Sequence, residues 1–148
     1  MPRARLALVL VVLVLSACEA LRGTPPSPTP GDFGTLAQAL SQRGVKAEGA
    51  VSGDPGCDDP TLAPTAISFT ASGLDQSTAV RLRVYLFRDD SAFDRRRADV
   101  DTCAAAWATD SASFELVDAS PFVIAGQGPW GAEFKRAVRA ALTAAAGG

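Results

Sequence analysis

The stretch Val80-Arg81-Leu82-Arg83-Val84-Tyr85-Leu86-Phe87 limits the fold more than any other part of the chain. Its side chains alternate strictly. Val80, Leu82, Val84 and Leu86 point one way, and Arg81, Arg83, Tyr85 and Phe87 point the other. A period of two is that of a β-strand, here with one face in a core and one face at least partly wet. Ile67-Ser68-Phe69-Thr70-Ala71 has the same period, and Ser72-Gly73-Leu74-Asp75-Gln76-Ser77 between them has turn composition. The two segments therefore predict a hairpin, and a hairpin requires an antiparallel sheet.

The remaining elements follow from periodicity and punctuation. Asp32 is a suitable N-cap for a helix whose inner face is Phe33, Leu36, Ala37 and Leu40. Gly44 supplies its left-handed stop, with Val45 placed to pack back on the last turn. Residues 45–51 alternate weakly and read as a strand, and residues 52–64 are loop by composition. Asp89, Asp90 and Ser91 open a long helix with Phe93, Val100, Cys103 and Trp107 inside and Arg95, Arg96 and Arg97 outside among acids. Residues 113–117 read as an edge strand, and the unbroken apolar run Phe122-Val123-Ile124-Ala125 as a buried one. A Gly-rich turn then leads to a last helix, with Pro129 expected at its first position and the final alanines expected to fray. The order α-β-β-β-α-β-β-α predicts an α+β fold: a two-layer sandwich of about five mainly antiparallel strands with helices on one face.

The amino-terminal end has a different character. Arg3 and Arg5 precede an apolar run from Leu6 to Leu15, with small residues after it. Spanning a bilayer takes about 18 or more apolar residues, so this run fits the core of a secretion signal better than a retained membrane helix. Leu15-Ser16-Ala17-Cys18 resembles the lipobox of bacterial lipoproteins at every position. That resemblance implies cleavage before Cys18, a diacylglyceryl thioether on its sulfur and a further acyl chain (palmitate or similar) on the new amino terminus. Two or more chains anchor firmly, where one holds only marginally. The expected organisation is a signal peptide over 1–17, a lipidated Cys18 with a Pro-rich tether over 18–31, and a single domain over 32–148. The tether should be extended and semi-rigid. The expected location is outside the cytoplasm on a membrane, either the periplasmic face of an outer membrane or the cell surface.

Once Cys18 is lipidated, Cys57 and Cys103 remain. In an oxidising compartment an even count points to a disulfide, which here would tie the 52–64 loop to the long helix.

Composition excludes more than it assigns. The chain has no histidine, which removes Ser-His-Asp and Cys-His catalysis and His-ligated metals. Losing Arg3 and Arg5 with the signal leaves twelve basic residues against sixteen acidic ones. That balance offers no concentrated basic surface for nucleic acid. Asp54, Asp58 and Asp59 lack calcium-loop spacing, and Gly126-Gln127-Gly128-Pro129 lacks the Lys and Ser/Thr of a phosphate loop. Neither catalytic residues nor a cofactor or metal is expected. Trp107 and Trp130 are either core residues or the lining of an apolar ligand pocket.

The element order is also similar to that of small bacterial lipoproteins with a first helix ending Gly-Val and a strand Arg-Val-Tyr-Leu-Phe before an Asp-rich helix start. Gly44-Val45, Arg83 to Phe87 and Asp89-Asp90 stand in those places. The resemblance implies no particular activity. The expectation is a lipid-anchored, non-catalytic cell-envelope lipoprotein that binds or supports an unknown envelope partner. The alternatives are a small-ligand carrier or sensor, with its pocket between sheet and helices, and a hydrolase that works without histidine.

Overall fold

The computed structural model describes residues 30–147. The lipobox, Cys18 and most of the tether lie outside them. The elements are α1 (Pro30–Ser41), β1 (Lys46–Ser52), a 3-10 turn (Ala63–Thr65), β2 (Ala66–Gly73), β3 (Gln76–Leu86), α2 (Asp90–Trp107), β4 (Phe114–Ala119), β5 (Phe122–Gln127) and α3 (Ala132–Ala146). The strands form one five-stranded sheet in the order β1-β2-β3-β5-β4, with every pairing antiparallel. The α+β class, the hairpin and the element order are those the sequence predicts. Among the described residues no helix is long and apolar enough to cross a membrane.

The alternation of β3 builds a core on each side of the sheet. Leu82, Val84 and Leu86 face α1 and α3, where they meet Leu36, Leu40, Phe134 and Val138. Tyr85 and Phe87 face the other way and meet Val100 and Cys103 of α2, together with Leu62 from the loop before β2. Both residues are buried there, with Tyr85 fully sealed. Two of the three helices thus share one face, as a two-layer arrangement requires, but α2 covers the opposite one. The face expected to be partly wet is wet only toward Arg81, which is exposed. The cause is the loop over residues 53–65, which with α2 closes over it. Interior β5 records the same fact, since both its faces are buried from Phe122 to Gly126.

Helix ends account for three smaller differences. α1 starts at Pro30, ahead of Asp32, which is therefore inside the helix and not its cap. Its other end is as predicted. The Gly44 N–H donates to the Ser41 carbonyl at 3.1 Å and the Val45 N–H to the Leu40 carbonyl at 3.1 Å, with Gly44 at φ +80° and Val45 buried. This is a Schellman stop. α3 begins at Ala132, so Pro129 precedes it and is not its first residue. The start is fixed from the β2–β3 turn: Asp75 accepts from the N–H groups of Glu133 (3.0 Å) and Phe134 (2.8 Å), and the Gln76 amide oxygen accepts from Gly131 N–H. At its far end α3 stays helical through Ala146, because Ala145 and Ala146 pack against the first core.

Candidate functional site

Cys57 and Cys103 are joined, with Cα atoms 5.3 Å apart. The bridge pins the loop before β2 against α2, and a small group of side chains gathers around it. Arg83 reaches from β3 to Asp54 at 3.2 Å, and its guanidinium lies over the Trp107 ring, 4.5 Å from the centroid. The Tyr85 hydroxyl donates to the Pro55 carbonyl at 2.7 Å, and the Cys103 sulfur sits 3.2 Å from that same oxygen. Gly56, at φ +85°, passes so close to Arg83 and Trp107 that a Cβ would fall 2.6 Å from each. The loop therefore lies flat on the sheet because its residue there has no side chain.

The electrostatics of this group are those of a clamp. Burial alone would raise the Asp54 carboxyl. The Ser68 hydroxyl beside it, the Arg83 charge and hydrogen bonds from Arg83 and Gly56 together hold it below its usual range. Burial pushes the Tyr85 phenol up, so it stays neutral and donates. Among the described residues the buried Trp107 indole N–H has no hydrogen-bond partner within normal geometry. Asp59 is occupied with the Thr61 hydroxyl and with the N–H groups of Thr61 and Leu62, which lower its pKa. Among the described residues no group of three or more Cys, Asp and Glu side chains is placed to hold a metal ion.

The two tryptophans have separate places. Trp130 belongs to the first core, with its indole N–H donating to the Gln127 carbonyl and its ring edge-on to Phe134. Trp107 closes the second core at the end of α2, edge-on to Phe114 at 5.0 Å. The structure does not bring them together. The Gly126–Gly128 turn is likewise internally satisfied: the Gln127 side-chain oxygen accepts from Thr109 and Asp110, and its amide nitrogen donates to Ser113 and Asp110.

The largest difference from the sequence reading concerns the arginines. Arg97 turns toward Asp101 and Asp118, and Arg96 toward Asp99 and Asp59. These are the helix-surface ion pairs that the neighbouring acids suggest. Arg95 instead shares a cleft with Arg88, a residue that its position in the turn after β3 gave no reason to single out. The cleft has a volume of about 450 Å³ and runs between the 3-10 turn and the first turns of α2. Pro64, Leu86, Phe87 and Ala92 supply its apolar surface, and Arg88, Arg95 and Arg96 its charge. Arg88 pairs with Asp89 at 3.0 Å, while Arg95 bonds to the neutral Ser91 hydroxyl. Among the described residues Arg95 has no carboxylate within 4.0 Å. Comparison with family models, with curated proteins and with solved structures gives no match to this chain.

Proposed function

We propose that the protein is an extracytoplasmic lipoprotein, held on a membrane by acyl chains at Cys18, whose domain is a binding or support module and not a catalyst. The observation that carries this reading is the run Leu15-Ser16-Ala17-Cys18 after a short apolar segment and before a Pro-rich spacer. The Cys57–Cys103 bridge is in keeping with it, since disulfides persist in oxidising compartments. The side chains around that bridge are engaged with one another in a manner that holds a loop in place. Among the described residues the large exposed apolar side chains are Val51 and Leu74, at opposite ends of the β1–β2 pairing. A protein partner would therefore meet a mainly polar surface.

The anchor is tested by growing cells that express the full chain on an alkynyl fatty acid and reading the label on the purified protein. The wild-type chain takes the label, and the peptide starting at Cys18 carries the added mass. Cys18→Ser takes none. An unlabelled wild-type chain overturns the proposal, as does an equally labelled Cys18→Ser.

A further inference from the structure

We propose that the cleft beneath Arg95 is a binding site for a small monoanionic amphiphile: one carboxylate or sulfate head on a short apolar chain. The inference deepens the reading of the domain as a binding module and does not depend on the anchor. It begins from charge bookkeeping. Asp89, next to Arg88 in the chain, has both oxygens in use: one accepts from Ala92 N–H at 2.7 Å and the other from Arg88 at 3.0 Å. Asp99 and Asp59 are taken up by Arg96, and Asp90 accepts from Ser120. Arg95 is thus the one guanidinium at the cleft without a carboxylate within ion-pair distance among the described residues. The cleft lining holds three guanidiniums and no carboxylate, which favours an anionic head there, while Asp59, Asp89 and Asp99 beside those arginines disfavour a second negative charge.

The cleft's walls set the rest. A site meant for a free inorganic ion would be small and polar throughout. This one has the 300–1,000 Å³ scale typical of small-molecule sites, and Pro64, Leu86, Phe87 and Ala92 are among the residues that line it. Pro64 adds no N–H to that wall. An apolar chain laid against Pro64 and Ala92 would lose water from both surfaces, while its head met Arg95 with charge-assisted hydrogen bonds, the stronger kind. Arg88, half-exposed and already paired, is placed to give the head a second contact.

The test uses the exported chain, residues 18–148, with Cys18→Ser so that no attached lipid competes, and with the intact disulfide confirmed by mass. Isothermal titration with octanoate and with octyl sulfate yields saturable binding of one ligand per chain. Octanol and inorganic phosphate bind at least about tenfold more weakly, each lacking one half of the recognition. Arg95→Ala weakens octanoate at least about tenfold, the loss of one charge-assisted contact. Arg136→Ala, at an exposed arginine on α3, leaves it unchanged. The proposal is overturned if no saturable binding occurs, if octanol or inorganic phosphate binds as tightly as the charged amphiphiles, or if Arg95→Ala has no effect. Acyl labelling at Cys18 is read independently, so the cleft can fail while the anchor stands, or the reverse.

Discussion

At the scale of single residues, Asp75 has the widest reach. It sits in the β2–β3 turn, yet its two oxygens satisfy backbone donors in the first turn of α3, 58 and 59 residues further on. Those hydrogen bonds hold its carboxyl below the ordinary Asp range. A lowered pKa in the folded state means that the charged form stabilises the fold above the unfolded value, near 3.9, and that this is lost as pH falls through the folded value. Asp75→Ala should therefore lower the melting temperature at neutral pH by a few degrees, with Asp75→Asn falling between it and wild type. The gap between wild type and Asp75→Asn should close as pH falls below about 4. Thermal melts from pH 7 to pH 3 check this, and a gap that persists unchanged at the acid end counts against the cap. Asp75 was legible only as a turn residue, because a cap supplied from 58 residues away leaves no local pattern. Gly44 was legible in full, because a Schellman stop uses only the adjoining residues.

At the scale of elements, α2 and the loop before β2 behave as one unit. The helix presents a narrow apolar face, with Val100, Cys103 and Ala104 as its buried residues. The loop contributes Leu62 and the Tyr85–Pro55 hydrogen bond, and the Cys57–Cys103 bond joins the two. Closing a loop of 46 residues stabilises by about 4 kcal/mol in the chain-entropy account. Cys57→Ser with Cys103→Ser should cost about that much in chemical denaturation. A loss below about 1 kcal/mol would mean that Asp54–Arg83 and Tyr85–Pro55 hold the loop unaided. The side of the sheet that α2 takes was the part of the fold least legible. Its polar, arginine-rich sequence resembles a helix lying on a solvated surface, and β3 alternates as a half-buried strand does. The unbroken run in β5 was the available sign that both faces are covered, since an antiparallel strand with one wet face would alternate. The arginine cleft was illegible for a related reason. Arg88 lies in the turn between β3 and α2 and Arg95 inside α2, and the path of that turn brings them to one cleft.

At the scale of the whole molecule, one sheet carries two cores, and β3 and β5 belong to both. Neither core can come apart while the other keeps those strands in place, so unfolding should be a single event. Trp130 reports the first core and Trp107 the second. In Trp107→Phe and in Trp130→Phe, the fluorescence midpoint in denaturant should coincide with the far-UV circular dichroism midpoint of the same variant. Separate midpoints would show that the α2 side opens by itself. The free edge at β1 has its own safeguard: Lys46, Glu48 and a bulge with Gly49 at φ +65° interrupt the row of groups that another strand would pair with. The bond between Cys57 and Cys103 also has a mechanical meaning. Tension applied along the chain can peel away α1 and β1 from the amino-terminal side, but at Cys57 the load passes across sulfur to Cys103. The hairpin and most of α2 then hang slack beside the line of force, and the chain between the two cysteines, a sequence separation of 46, adds nothing to the length the protein can pay out.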